Sequence, residues 1–134
     1  MNYGNLNNHQ IMRWSLASVW LLTALASLAY PPAASLELLS PLGLTGMAAR
    51  SALYAGITLD LVMGTLTLTD LGRWQRWLWM LQACTILTYT ALIVLFLPDL
   101  ALHPFGMLIK NIPILAMLWM LWRSENTHKE SAHV

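Results

Sequence analysis

The feature that most constrains this chain is a pair of long stretches without any charged residue. Residues 14–36 and 77–97 contain no Asp, Glu, Lys or Arg. A helix that crosses the hydrocarbon core of a bilayer needs about 20 apolar residues, at a rise of about 1.5 Å per residue. The whole chain is 57% hydrophobic and 10% charged, whereas soluble domains are roughly 45–50% apolar and about 25% charged. These observations predict an integral membrane protein.

Four apolar segments are separated by helix-breaking residues such as Pro31 and Pro98. We predict membrane spans over residues 12–30, 51–69, 77–97 and 105–122. The predicted fold class is all-α, a polytopic membrane protein built as a four-transmembrane-helix bundle. Its single domain covers residues 1–123, and residues 124–134 form a polar cytoplasmic tail that we expect to be loosely ordered.

Positive charges are unevenly divided between the two sides of this arrangement. One side carries Arg13, Arg73, Arg76, Arg123 and Lys129. The other side carries Arg50 and Lys110. Cytoplasmic loops are enriched in Lys and Arg, so both termini are predicted to be cytoplasmic. Tryptophans on the cation-rich side are interpreted as interfacial anchors: Trp14, Trp74, Trp77, Trp79, Trp119 and Trp122.

Asp60 lies near the middle of the second predicted span, where an acid costs about 2.5–3.5 kcal/mol on insertion scales. A stripe of small residues recurs every four positions and includes the acid: Ala52, Gly56, Asp60 and Gly64. Such stripes let helices approach closely, so the three small residues are predicted helix-packing positions, within the bundle or in a dimer. Asp60 is then either an inward-facing proton, ion or ligand site, or a structural acid that is bonded to a neighbouring helix or kept protonated.

The fourth predicted span opens with Lys110 and Asn111, followed by Pro113. Pro113 removes a backbone donor, which favours a kinked or re-entrant segment at this membrane edge. Lys110 either pairs inward with Asp60 or extends outward to water, because its long stem permits both.

The third predicted span carries three polar side chains on one face. Gln82, Thr85 and Tyr89 lie at positions i, i+3 and i+7 of the helix. They either line a polar pocket with Asp60 or form interhelical hydrogen bonds, which contribute about 0.6 kcal/mol each.

Several cofactor classes find no support in the sequence. Cys84 is the single cysteine, so there is no internal disulfide and no zinc cluster. His103 is the only histidine near the membrane, which leaves a haem with two axial histidines unsupported. The chain has no flavin, metal or hydrolase motif, and a formal net charge of +1 gives no reason to expect a nucleic-acid partner.

A short echo links the starts of the second and fourth spans. Residues 46–51 and 106–111 both begin with Gly-Met and end with a cation followed by a small polar residue. The match suits two duplicated helical hairpins, a symmetry known in membrane folds.

Together these residues resemble the DoxX-like family of small four-helix bacterial membrane proteins. The resemblance covers about residues 13–122 and rests on Arg13, residues 56–64 with Asp60, residues 87–90, His103-Pro104-Phe105-Gly106, and Lys110-Asn111-Ile112-Pro113. It implies a four-helix bundle in the bacterial cytoplasmic (inner) membrane, with Asp60, His103, Lys110 and Asn111 as family-like polar positions. Better-known members of the wider group are associated with quinone-linked sulfur oxidation or membrane oxidoreductase complexes. Met107 departs from the family pattern, which often has proline there.

The first functional hypothesis is a membrane subunit that binds a small ligand or organises a partner within the lipid bilayer. Asp60 is its buried acid, and Lys110 is the cation of that acid or an anion-binding group. Asn111, Gln82 and Tyr89 are the orienting donors. No catalytic residue is assigned.

Two alternatives stay open. One is a quinone-interacting subunit, in which Lys110 or His103 hydrogen-bonds the quinone, Asp60 relays protons and an oxidoreductase partner donates electrons. The other is a small transporter of protons, ions or solutes, which would require a homo-oligomer because four short helices enclose little space.

Overall fold

The computed structural model describes residues 3–101 and 107–130, and these residues form helices joined by short turns. In chain order the helices are α1 (Tyr3–Ala29), α2 (Pro32–Glu37), α3 (Gly46–Leu68), α4 (Gln75–Phe96), α5 (Pro98–Ala101) and α6 (Met107–Glu130). Short 3₁₀ turns occur at Ser40–Leu42 and Gly72–Trp74. The described ranges contain no β-strand, so the all-α prediction is confirmed for them.

Among the described residues, three helical segments are long and apolar enough to cross a membrane. They are Asn8–Ala29, Gly46–Leu68 and Gly72–Phe96, with mean hydropathies of 1.4, 1.4 and 1.8. They match the first three predicted spans. Helix α6, described from Met107 onward, is not among them. The fourth span therefore stays a prediction.

Helices α1 and α6 extend beyond the apolar segments from which the first and fourth spans were predicted. Helix α1 begins at Tyr3, and α6 continues to Glu130, so residues 124–130 are helical where we expected a loosely ordered tail. Falling hydropathy marks where hydrocarbon ends, whereas intrahelical hydrogen bonds continue into a polar segment. The two extensions meet, because His9 Nε2 lies 3.6 Å from Glu125 Oε1.

A tight turn brings α3 and α4 side by side in opposite directions. Gly72 has a φ of 54°, in the left-handed region that favours glycine. Its backbone N–H donates to Asp70 Oδ1 at 3.0 Å, which closes the turn. Residues on α3 and α4 are thereby set in antiparallel register.

The long helices associate as two pairs. Helix α1 packs most extensively against α3, and α4 packs most extensively against α6, while α3–α4 and α1–α6 contacts are sparser. We call α1, α2 and α3 the first half, and α4, α5 and α6 the second half. In each half a long helix is followed by a short helix that begins with proline, Pro32 or Pro98. This pairing agrees with the duplicated hairpins that the sequence echo favours, although Gly106 lies outside the described residues.

Gly64 is the point of closest approach in the first half. A Cβ atom at this position would lie 2.7 Å from Leu21 Cγ and 3.3 Å from Trp20 Cβ on α1. These distances are shorter than ordinary van der Waals contact, so the α1–α3 packing depends on a residue without a side chain.

The buried core draws on all four long helices. Its members are Leu16, Trp20, Met63, Leu78, Trp79, Ile86, Ile114, Leu118 and Leu121. Trp14, Trp74, Trp77 and Trp119 are largely exposed, as expected for interfacial anchors, whereas Trp79 is only 1% exposed and packs in the core. The anchor interpretation therefore does not describe Trp79.

Candidate functional site

A buried hydrogen-bond network joins three helices around Gln82 of α4. Trp20 Nε1 on α1 donates to Gln82 Oε1 at 2.9 Å, and Gln82 Nε2 donates to Thr67 Oγ1 on α3 at 2.7 Å. The Thr67 hydroxyl in turn donates to the Met63 carbonyl at 2.7 Å. All three side chains are buried. Gln82 is thus an interhelical link between the halves, one of the two roles the sequence left open.

Arg13 holds the end of α3 from the neighbouring helix. Its Nε atom donates to the Thr67 carbonyl at 3.0 Å, and its Nη2 atom donates to the Thr69 carbonyl. The last carbonyls of a helix lack intrahelical partners and carry partial negative charge, so a guanidinium there is favourable. Arg13 therefore stabilises the α1–α3 pair at the same end as the Gln82 network.

Asp60 lies on α3 about two turns from Thr67, deeper along the same face. Its side chain is 6% exposed, and Oδ1 has no hydrogen-bond partner among the described residues. Tyr89 lies about two turns beyond Gln82 on antiparallel α4, and its hydroxyl oxygen faces Gly56, one turn from Asp60 on α3. The acid and the phenol therefore form a second polar layer between α3 and α4.

Gly56 leaves room beside this second layer. A Cβ atom at Gly56 would lie 3.7 Å from the Tyr89 hydroxyl oxygen, which is ordinary contact. Tyr89 is 37% exposed, and α3 touches α4 at few positions. A small number of side chains, rather than a closely packed α3–α4 interface, therefore separates Asp60 from the outside of the bundle.

Asn111 and Lys110 differ in what they contact on α4. Asn111 Nδ2 donates to Thr90 Oγ1 at 2.7 Å, and the Thr90 hydroxyl donates to the Ile86 carbonyl at 2.7 Å. Lys110 is exposed, and within residues 3–101 and 107–130 no ion pair joins it to Asp60. Asn111 thus reaches the residue next to Tyr89, while Lys110 does not reach the acid.

The remaining predicted residues lie on α3, on α4 or outside the described residues. Ala52 and Gly56 are half-buried on α3 and Gly64 is buried against α1. Thr85 donates to the Leu81 carbonyl of its own helix at 2.9 Å. His103 lies outside the described residues. In the described ranges no three His, Cys, Asp or Glu side chains gather as a metal site requires.

Sequence reasoning did not single out Trp20 or Thr67. Trp20 is the one tryptophan in the middle of a predicted span, far from the interfaces where the other indoles gather. A mid-span indole N–H needs an acceptor on a neighbouring helix, and that position was the available signal. Thr67 gave no such signal, because a threonine in a helix commonly bonds its own backbone.

A cavity separates α4 from α6 on another side of the bundle. Its volume is about 370 Å³, and it is lined by Trp79, Met80, Ala83, Leu115, Leu118, Trp119 and Trp122. Trp119 and Trp122 stack with ring centroids 5.4 Å apart. None of the predicted polar residues lines this cavity.

Comparison with protein-family models identifies the family of the chain. The model of the DoxX-like family matches residues 17–119. No curated protein and no solved structure matches the chain. The matched segment contains the predicted positions Asp60, Gln82, Tyr89, Lys110 and Asn111.

Proposed function

Because the chain belongs to the DoxX-like family, whose model matches residues 17–119, we propose that it is a membrane subunit that binds a small ligand at Asp60. The observation that carries the proposal is Asp60 itself, which is only 6% exposed and whose Oδ1 atom has no hydrogen-bond partner among the described residues. An acid in the interior of a membrane helix is costly, so an arrangement that leaves it unpaired favours a donor supplied by a ligand.

The chemistry of the site defines the ligand class. Asp60 offers acceptor oxygens, so the ligand presents a hydroxyl, amine or ammonium group to it. The Tyr89 hydroxyl lies close by and both donates and accepts. Access is lateral, because Tyr89 is partly exposed and α3 and α4 meet at few positions.

Asn111 and Lys110 have supporting roles in this proposal. Asn111 fixes Thr90, the neighbour of Tyr89, through its 2.7 Å hydrogen bond and so orients this part of α4. Lys110 is exposed on α6 one residue earlier, where it supplies a cation for an anionic group of the ligand.

The proposed topology has four spans, with α6 as the fourth. Helix α6 packs along α4, and the predicted span begins before Met107, the first residue of α6. Both termini are placed in the cytoplasm of a bacterial inner membrane, since the cation-rich loops and ends fall on that side. The ligand would then reach Asp60 from within the bilayer.

Native mass spectrometry of the detergent-purified protein tests the ligand site. Wild type is compared with Asp60→Asn, Tyr89→Phe and Lys110→Met, and exposed Asp99 supplies the matched control Asp99→Asn. We expect wild type and the control to retain a small-molecule adduct that Asp60→Asn loses. A bare wild-type protein, or equal adducts in wild type and Asp60→Asn, would contradict the proposal.

The same mass spectra, together with flux measurements in reconstituted vesicles, separate the alternative functions. A retained quinone that both Asp60→Asn and Lys110→Met lose would identify a quinone-interacting subunit. Proton or ion flux in reconstituted vesicles that requires Asp60 would identify a transporter. Subunit number and co-purifying proteins report whether the chain assembles with itself or with an oxidoreductase partner.

A further inference from the structure

Asp60 is the one ionisable side chain buried within the described part of the bundle. The buried polar residues there are Asp60, Thr67, Gln75 and Gln82, and the last three are neutral. Asp60 is 6% exposed, and its Oδ1 atom has no hydrogen-bond partner among the described residues. A carboxylate buried in this way needs both a hydrogen-bond donor and a positive charge.

The described cations of the chain do not supply that charge. Within residues 3–101 and 107–130, no Lys, Arg or His forms an ion pair with Asp60. Arg13 donates to two backbone carbonyls at the end of α3. Arg50 lies ten residues before Asp60, about 15 Å along α3, and is exposed, as is Lys110 on α6. The charge that matches Asp60 therefore comes from a bound molecule.

The Tyr89 hydroxyl supplies a second acceptor close to the acid. A Cβ atom at Gly56 would lie 3.7 Å from this oxygen, and Gly56 lies one turn from Asp60 on α3. A protonated primary amine has three N–H donors, so one ammonium group can donate to both oxygens. The phenol ring also attracts a cation near its face. Mg²⁺ and Ca²⁺ fit less well, because they take six or more oxygen ligands.

The outer side of the site is suited to an apolar chain. Tyr89 and Leu92, one turn apart on α4, are both 37% exposed. Helices α3 and α4 also touch at few positions beside them. In a membrane this surface meets hydrocarbon, so the part of the ligand that extends from the ammonium group toward the outside of the bundle is apolar.

We propose that the ligand of the Asp60 site is a lipophilic primary amine, bound in its protonated form with its hydrocarbon chain among the lipids. The inference rests on the proposed function, because it names the chemical class of the ligand held at Asp60. An alcohol would bring a donor without the charge, and a quaternary ammonium ion would bring the charge without an N–H group. A diamine would bring a second charge, for which the buried described residues offer no second acid.

The test uses the full chain in nanodiscs of phosphatidylcholine, a lipid without net charge, and native mass spectrometry of the released protein. The probes are dodecylamine, 1-dodecanol and dodecyltrimethylammonium, which share one apolar chain and differ in the polar group. We expect wild type to retain dodecylamine about tenfold more strongly than either of the others, as for a hydrogen bond to a charged group. This comparison needs no substitution, so it does not depend on the folding of a variant.

Matched variants locate the preference. Asp60→Asn keeps the shape of the side chain and removes its charge, so dodecylamine should be retained only as dodecanol is. Asp99→Asn changes an exposed acid and should retain dodecylamine as wild type does. Tyr89→Phe should weaken retention about fivefold, as for the loss of one neutral hydrogen bond. Tyr54→Phe, on a largely exposed face of α3, is its control, and circular dichroism confirms the helix content of each variant.

Two results would overturn this inference and leave the proposed function standing. Equal, Asp60-dependent retention of dodecanol and dodecylamine would mean that the site recognises a donor without charge. Equal, Asp60-dependent retention of dodecyltrimethylammonium and dodecylamine would mean that it recognises charge without an N–H group. If no probe depends on Asp60 and the purified wild type also carries no Asp60-dependent adduct, the proposed function fails together with the inference. If such an adduct is present, only the amine class is wrong.

Discussion

The two halves of the molecule are built from the same succession of helices but differ in how closely their long helices approach. In the first half Gly64 brings α3 against Leu21 and Trp20 of α1, so that even a Cβ atom would be 2.7 Å from a neighbour. In the second half, bulky indoles line the facing surfaces of α4 and α6, which leave a cavity of about 370 Å³. Similar topology thus yields one closed and one open interface, and residue size decides which.

The difference follows from how membrane helices associate. Hydrocarbon tails are as apolar as leucine, so close van der Waals contact replaces the hydrophobic effect as the driving force. A glycine provides such contact, whereas large rings such as Trp79 and Trp122 hold backbones apart and leave gaps where their shapes do not match. The following predictions add or remove groups at matched places in the two halves.

Gly64→Leu should have the largest effect, because the new side chain would overlap Leu21 and Trp20. Overpacked sites typically lose 1–3 kcal/mol, so we expect the free energy of unfolding to fall by about 3 kcal/mol. Denaturant unfolding in detergent measures it. Gly56→Ala is the control, since its Cβ would meet Tyr89 at an ordinary 3.7 Å, and it should show no loss. Equal stability of Gly64→Leu and wild type would disprove a closed first half.

Gln82→Leu tests the connection between the halves. It leaves Trp20 Nε1 without an acceptor and deprives Thr67 of its donor from α4, and an unsatisfied buried donor costs about 1–3 kcal/mol. We expect a loss of about 2 kcal/mol in the same assay, near the middle of that range. Thr85→Val removes a hydroxyl that bonds only its own helix and should change stability by less than about 0.5 kcal/mol. Matching results for the two variants would mean that the network does not join the halves.

Arg13→Lys sharpens the comparison at the polar end of the first half. The change keeps the charge, and with it the positive-inside signal, but it loses the fork that reaches the Thr67 and Thr69 carbonyls together. The expected loss is about 1 kcal/mol. Arg50→Lys, at an exposed position, is the control. If both variants unfold at the same temperature as wild type, the Arg13 hydrogen bonds to the end of α3 do not stabilise the protein.

Ala83→Leu should have the smallest effect and the opposite sign to Gly64→Leu. Extra methyl groups at Ala83 enter the cavity, and filling a cavity commonly gains about 0.5 kcal/mol or more. Thermal unfolding in detergent is the measurement. A loss comparable to that of Gly64→Leu would show that the second half is as tightly closed as the first, and the contrast between the halves would fail.

Much of the fold followed from hydropathy, because a bilayer leaves a chain of this composition few alternatives to helices. The three candidate spans match predicted segments. The ends of α1 and α6 did not follow, since a helix continues through polar residues such as those after Ser124 when its backbone bonds are kept. A span criterion based on apolar residues is also least informative for α6, which carries Lys110 near its start.

The candidate site was predictable only in part. Four-residue spacing on α3 placed Asp60 among small residues, and its side chain is indeed only 6% exposed. The partners on other helices were not predictable, because a single sequence contains no information on the register between helices. That register sets Tyr89 opposite Asp60 and Gln82 opposite Thr67, and it leaves Lys110 outside. The cavity was likewise invisible, since it arises from the shapes of packed rings.

The network around Gln82 also bears on the order in which the protein is made. Gln82, which accepts from Trp20 and donates to Thr67, lies 62 residues after Trp20 and 15 residues after Thr67 in the chain. During synthesis from the N-terminus, α1 and α3 therefore leave the ribosome before the residue that pairs the Trp20 indole exists. Until α4 is inserted, the Trp20 indole N–H of the first half has no acceptor from Gln82. A chain truncated after α3 would lack that acceptor permanently.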